Sequence, residues 1–460
     1  MGFWSLNHPL TMSAAINART GKTWSYADLR SEAARMRALF PQSKGKQLGL
    51  LVAQNRYECL AAYVAALQSG TALALLDANL NPALLNRFVE IYRPDWIFKL
   101  AAGSDFSGYR SSACDGLFCA KEPIQDGINP ETAILLSTSG STGSPKMVRL
   151  SYANIQANAA SIAEYLALTA DERPITSLPM AYSYGLSVVN SHLHAGAAIV
   201  LSEDAVMRKE FWDAVDSRRC TSFAGVPYTY QALLAMGLLK SKGPTLKTLT
   251  QAGGRLEGRY IEQMCRIAVT RGWKFIVMYG QTEAAPRISY VPFEALAHKI
   301  GSIGIPVPGG ALETDPDTGE LIYSGPNVML GYAESRADLA KGDETQGILR
   351  TGDLARQDPD GYFYITGRLK RFLKLFGKRF NLDEVESILA RQTDAALACY
   401  GCDDLLTIAV EKPGNPDSIA RAACEIFDLA RAAVKAQCIE TLPRNANGKI
   451  DYQQLLNGLN

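Results

Sequence analysis

The feature that most constrains this chain is an alternation of short apolar runs with amphipathic segments, sustained from residue 25 to about residue 278. Residues 25–40 (SYADLRSEAARMRALF) place Leu29, Ala33, Met36, Leu39 and Phe40 on one helical side. The run 46–53 then reads as a short buried strand, 57–69 as a helix ended by Gly70, 73–76 as a strand and 82–92 as a helix. Apolar runs return at 175–178, 197–201, 222–225, 248–252 and 275–278. Strands spaced by helices pair through crossover units, so the pattern predicts an α/β fold with mainly parallel sheets. The texture changes after about residue 300. Residues 301–310 are rich in Gly and Pro, and 320–324 and 361–365 read as short strands between turns. A small β-rich subdomain over about 301–367 is expected, closing a large N-terminal domain of residues 1–367. Beyond it, segments 382–391, 397–400, 406–411 and 416–435 predict a compact α+β domain over 371–460.

Composition narrows the function classes without naming one. A chain of 460 residues corresponds to about three packing units at roughly 150 residues each. Lys and Arg number 47 against 46 Asp and Glu, which argues against an obligate nucleic-acid binder. No charge-free run reaches the roughly 20 apolar residues that a membrane span needs. The opening residues lack a basic segment followed by an apolar run, and Leu6 stands where a myristoylation motif needs Ser or Thr. Nine scattered cysteines, an odd number, make a poor disulfide framework. The expectation is a soluble cytoplasmic protein without stable membrane insertion. Cys399 and Cys402 have CxxC spacing but no second ligand pair, so they read as two small buried apolar residues. His192 and His194 lie two apart and would face nearly opposite ways on a helix.

The segment 134–148, ILLSTSGSTGSPKMV, is the most informative. An apolar strand runs into a loop of hydroxyl residues and glycines closed by Pro145 and Lys146, and Ser151 is suited to cap a following helix. Glycines let backbone N–H groups approach a polyphosphate, hydroxyls add hydrogen bonds, and Lys146 adds charge. The spelling GSTGSPK is not that of a Walker A loop.

On these residues the chain resembles the adenylate-forming superfamily of acyl-CoA synthetases, peptide-synthetase adenylation domains and luciferases. Thr138, Ser139, Gly140, Ser141, Thr142 and Gly143, with Lys146, look like its phosphate loop. The resemblance recurs in order at 248–256 (TLTQAGGRL), 279–284 (YGQTEA), 319–332 (GELIYSGPNVMLGY), 350–367 (RTGDLARQDPDGYFYITG), 368–386 and 443–451 (PRNANGKID). It implies ATP and Mg²⁺ as cofactors, with Gly253, Gly254, Tyr279 and Gly280 on the nucleotide side. Thr282 would meet the α-phosphate and Glu283 the Mg²⁺. Asp353 would accept the ribose hydroxyls, with Ile365 and Arg368 nearby. Residues 368–370 would form a hinge centred on Lys370, Gly377 would line the tunnel for a phosphopantetheine thiol, and Lys449 would reach carboxylate and phosphate during adenylation.

The chemistry fits the residue types. A carboxylate is a poor electrophile because its leaving group would be oxide; adenylation turns that oxygen into AMP. Attack at the α-phosphorus crowds anions, so cations and oriented donors are needed. Residues 368–379 (RLKRFLKLFGKR) hold six basic residues and no acid, interleaved with apolar ones. Gly377 and the following residues favour strand and turn over a membrane or nucleic-acid helix. The acyl pocket is expected from Tyr182, Ser183, Gly185, Phe223, Ala224, Gly225 and Val226. The stretch 178–185 (LPMAYSYG) has no acid to hold an α-amino group, and an unpaired ammonium in an apolar pocket is costly. The expectation is a stand-alone ligase that makes an acyl- or aryl-adenylate and then a thioester on CoA or a separate acyl carrier protein. The alternatives are an amino-acid-activating enzyme and a non-catalytic nucleotide-binding regulator.

Overall fold

The computed structural model describes residues 2–41, 43, 45–100, 106–122, 124, 127–137, 146–369, 371–375, 378–402, 404–427, 429–445 and 448–457. The chain forms two compact units, Met1–Ala311 with Ser324–Leu349, and Leu312–Tyr323 with Arg350–Asn460.

Among the described residues, the first unit contains a nine-stranded and an eight-stranded sheet, each parallel in the middle and antiparallel at its edges. In the eight-stranded sheet Ala72–Asp77 runs parallel to both Leu48–Ala53 and Thr132–Ser137. In the nine-stranded sheet Ser222–Gly225, Thr248–Gln251 and Lys274–Gly280 run parallel in that order. The apolar runs of the sequence are these central strands, buried on both faces as a parallel sheet requires. Toward the edges lie short antiparallel strands such as Thr23–Ser25, Met147–Ser151 and Arg287–Val291.

Helix ends follow local chemistry. Ser25 caps Tyr26–Leu39 and Ser151 caps Tyr152–Tyr165, each in a reciprocal capping box. Asn81 accepts from the Ala83 amide and Pro82 takes the first position of Pro82–Tyr92. The helix Tyr57–Gln68 is buried over ten of its twelve residues, from Tyr57 to Leu67, and packs into the main core.

The second unit holds a four-stranded sheet ending in Ile348–Gln357 and Phe363–Arg368, a hairpin, and a three-stranded sheet. The basic stretch forms that hairpin, Phe372–Leu375 against Lys378–Asn381, as strand and turn rather than helix. Leu373 and Leu375 are buried against Leu382, Val385 and Leu406. Segment 416–435 divides into the helix Pro416–Phe427 and the start of the strand Val434–Ile439, which runs parallel to Leu405–Glu411. No helix among the described residues is long and apolar enough to cross a membrane.

Candidate active site

In the first unit the strand Thr132–Ser137 enters the Ser/Gly loop and Lys146 stands at its exit. Thr138, Ser139, Gly140, Ser141, Thr142 and Gly143 lie outside the described residues. The chain after Lys146 is a strand, Met147–Ser151, antiparallel to Thr132–Ser137. Its other neighbour is Gly331–Ala333, with Tyr332 opposite Val148 and Ala333 opposite Met147. That register sets the Lys146 ammonium 3.8 Å from the centre of the Tyr332 ring, a cation–π contact. The Tyr332 hydroxyl donates to Glu283 Oε1 at 2.9 Å. Burial, and then the Glu283 charge, push the Tyr332 pKa well above the ordinary phenol value, so the hydroxyl remains a donor. One aromatic side chain thus joins the cation and the carboxylate.

Arg149 holds this arrangement from behind. Its side chain is fully buried and pairs with Glu344 at 2.6 Å. It also donates to the carbonyls of Tyr332, Leu330, Lys341 and Gly342, which fixes the segment carrying Tyr332.

Glu283 and Thr282 sit in the short 3-10 turn Thr282–Ala284 that follows the strand Lys274–Gly280. Gly280 has no room for a side chain, because a Cβ would lie 1.9 Å from the Pro286 carbonyl oxygen. The Met329 amide donates to the Glu283 carbonyl at 2.8 Å, and the Asn327 side chain donates to the carbonyls of Ala284 and Arg287. Thr282 Oγ1 lies 3.2 Å from Ser183 Oγ, at the first residue of the helix Ser183–Ala195. Tyr279, opposite Ser289, and Gly280 end their strand half-buried. Lys146, Thr282, Glu283 and Ser183 therefore gather in one region.

The acyl-pocket residues meet only in part. A Cβ on Gly253, whose φ is +84°, would come within 2.7 Å of the Tyr182 hydroxyl and 3.2 Å of Val226. Gly253, Tyr182 and Val226 thus share one wall, and Gly254 abuts Pro227. Gly185 is a packing residue, since a Cβ there would lie 2.2 Å from the Pro179 carbonyl. Phe223 is buried and its ring meets those of Phe211, Trp212 and Tyr230. Ala224 is buried with Tyr184, Ala252 and Met278. Gly225 faces the Tyr230 ring closely.

In the second unit Asp353 and Arg368 are register partners on adjacent strands. Arg368 Nε lies 3.0 Å from the Asp353 carboxylate, the acid being buried and the base exposed. Ile365 pairs with Ala355 on the same two strands. Lys449 is half-buried in a tight loop, where its carbonyl accepts from the Asn445 amide and its own amide donates to Asn445 Oδ1. Gly448, at φ +75°, supplies the left-handed turn. Lys370 and Gly377 lie outside the described residues. Arg371 is bound within the unit. It pairs with Asp383 and Glu386, donates to the Cys399 carbonyl and lies 3.7 Å from the centre of the Tyr452 ring.

Other motifs resolve into ordinary structure. His192 and His194 lie on one helix, His192 buried and His194 bonded to Gln156. Cys399 is buried as expected, but Cys402 is exposed, because the strand Leu397–Cys402 turns residues three apart to opposite faces. Among the described residues no group of three or more His, Cys, Asp or Glu could hold a metal. The single carboxylate of Glu283 suits a Mg²⁺ whose other ligands are phosphate oxygens and water. No local sequence pattern singles out Tyr332 or Arg149 for a role. The signal for Tyr332 was its place at the end of the 319–332 motif, but its pairing with the strand after Lys146 is tertiary.

A profile of the AMP-binding enzyme family matches residues 6–333. A feruloyl-CoA synthase from Amycolatopsis sp is 32% identical over 276 residues, 56% of this chain and 54% of that protein. The chain thus spans about half the length of that curated relative. An indoleacetate–CoA ligase from Aromatoleum aromaticum is 31% identical over 73% of this chain and 69% of that protein. Among solved structures, the o-succinylbenzoate CoA synthetase of Bacillus subtilis in complex with its acyl-adenylate intermediate aligns with a TM-score of 0.78. That alignment has 22% identity and covers 99% of this chain and 98% of the other, which establishes the fold.

Proposed function

This chain belongs to the AMP-binding enzyme family, and from that membership we propose that it is an ATP-dependent carboxylic acid ligase. In the first half-reaction a substrate carboxylate oxygen attacks the α-phosphorus of ATP, pyrophosphate departs, and an acyl- or aryl-adenylate results. In the second a phosphopantetheine thiol, of CoA or of an acyl carrier protein, attacks the acyl carbonyl, loses its proton to solvent and expels AMP. The observation that carries this reading is the Lys146–Tyr332–Glu283 cluster beside Thr282 and Ser183. A cation, a carboxylate and two hydroxyls converge at the exit of a loop suited to phosphate.

Lys146 neutralises phosphate charge, Thr282 orients the α-phosphate, and Glu283 is the residue that would hold Mg²⁺, which supplies charge neutralisation on the polyphosphate. Gly253, Gly254, Tyr279 and Gly280 line the nucleotide side. In the second unit Asp353 receives the ribose hydroxyls, with Ile365 and Arg368 beside it, and Lys449 delivers positive charge to the transition state. Residues 368–370 serve as the hinge in this reading, and Arg371 follows them with its own half-buried ion pairs. The acyl group lies among Tyr182, Ser183, Ala224 and Val226. Nine free cysteines and a requirement for ATP and a thiol acceptor are what supports a cytoplasmic setting in this reading.

ATP–pyrophosphate exchange across a panel of carboxylic acids tests the reading, followed by mass spectrometry with CoA and with carrier proteins. Acid-dependent exchange and a thioester product are expected. Binding of ATP without exchange for any acid would refute it.

A further inference from the structure

Arg287 is buried, at 3% exposure, on the strand Arg287–Val291 beside the Glu283 turn. Its guanidinium lies 4.0 Å from the centre of the Tyr184 ring, and the Tyr165 hydroxyl, which donates to Met278 Sδ at 3.0 Å, offers it an oxygen. Among the described residues its contacts are these two tyrosines and no carboxylate, and its Nε–H has no acceptor. A buried guanidinium ordinarily fills its donors with carboxylates and carbonyls.

Two further orphans line the same cavity, His192 Nε2 and Ser222 Oγ. His192 Nδ1 lies 2.8 Å from the Val188 carbonyl. That contact is attractive only if Nδ1 carries the proton, which leaves Nε2 as an acceptor. The cavity measures about 20 Å³ and is lined in part by Ala224, one of the residues proposed to hold the acyl group. Such a volume holds a single water-sized group. The vacant bonds set its chemistry: it must accept from Arg287 and donate to His192, with Ser222 able to do either. A carboxylate cannot donate and a methyl can do neither. A hydroxyl does both, and a phenolic one, the stronger donor, suits a neighbouring cation.

We infer that Arg287, His192 and Ser222 form a hydroxyl-recognition site at the far end of the acyl pocket, selecting acids that carry a terminal hydroxyl, phenolic ones above all. This rests on the adenylation reading and specifies its substrate class. Ser183, facing Thr282, and Tyr184, beneath Arg287, are consecutive on one helix, so the reacting and recognised ends are set from one element.

The test compares ATP–pyrophosphate exchange for 4-hydroxycinnamate against cinnamate, 4-hydroxybenzoate against benzoate, and 6-hydroxyhexanoate against hexanoate and adipate. The hydroxylated member should win by about 100-fold or more in kcat/KM, because rejecting an analogue leaves buried polar groups unpaired. Arg287→Met and Ser222→Ala should each shrink that ratio about tenfold, through the KM of the hydroxylated acid. Should Arg287→Met fail to fold, Ser222→Ala decides alone. A scaffold-free arm titrates phenol against toluene by protein NMR, expecting phenol binding that Ser222→Ala weakens. Exchange that ignores the hydroxyl, or a preference for adipate that depends on Arg287, would overturn the inference while leaving adenylation standing. Selective phenol binding without exchange for any acid would do the reverse. If phenol binds no better than toluene and no acid exchanges, both fall.

Discussion

Two buried arginines of the first unit face opposite circumstances. Arg149 is sealed by its own chain, with Glu344 and four backbone carbonyls around its guanidinium. Arg287 has two tyrosines and an unfilled Nε–H. A guanidinium whose donors are satisfied internally fixes geometry, here that of Tyr332. One left short of acceptors is set against a cavity and has bonds to offer. The second unit repeats the first case, for Arg371 finds Asp383, Glu386 and the Cys399 carbonyl.

The contrast can be broken in several ways. The largest effect belongs to a charge with a proposed duty in the reaction itself. Lys449→Ala should lower the rate of adenylate formation by about 10²- to 10³-fold, while ATP affinity measured by calorimetry stays within about tenfold. Normal adenylate formation by that variant would show that the lysine has no part in the step. Next comes the scaffold. Arg149→Met should destabilise the protein by about 2–4 kcal/mol in denaturant titration, since it leaves four backbone carbonyls short of a donor and the half-exposed Glu344 without its partner. Arg287→Met should cost much less, because no carboxylate is abandoned. Equal losses would erase the distinction between the two sites.

A smaller effect concerns pH. Burial holds the His192 imidazole down to about 4 from its ordinary 6.5. Between those values the unfolded chain takes up a proton that the folded chain refuses, so stability falls as pH drops from about 6.5 towards 4 and then levels. His192→Gln should flatten that part of the stability profile, and an unchanged slope would deny the burial its consequence. The least effect is expected at Tyr332→Phe, which removes one hydrogen bond to Glu283 but keeps the ring under Lys146. About a tenfold fall in kcat/KM, recoverable in part with more Mg²⁺, is the expected kinetic result.

The central strands and their helices were legible because burial on both faces leaves a continuous apolar run, as at 222–225, and because caps such as Asn81–Pro82 mark boundaries chemically. The antiparallel strands toward the edges were not. Met147–Ser151 and Arg287–Val291 mix charge with apolar residues, and only their sheet neighbours define them. The same limit governed the site. YGQTEA and the Ser/Gly loop suggest phosphate chemistry from their residue types, whereas Tyr332 reaches Lys146 only through a strand pairing that no local pattern encodes. Arg287 reads in sequence as an ordinary charge on a strand edge, and only tertiary burial distinguishes it.

Gly253 leaves the wall it shares with Tyr182 and Val226 built of bare peptide, at a backbone angle few other residues tolerate. Selection has no means of thickening that wall. For an acid bound there, drift in preference would be channelled into the adjoining ring of Tyr182, where trimming opens space that no side chain at Gly253 can reclaim. Descendants of this chain would sooner broaden their diet than narrow it, and an engineer seeking a new substrate would begin at the same position.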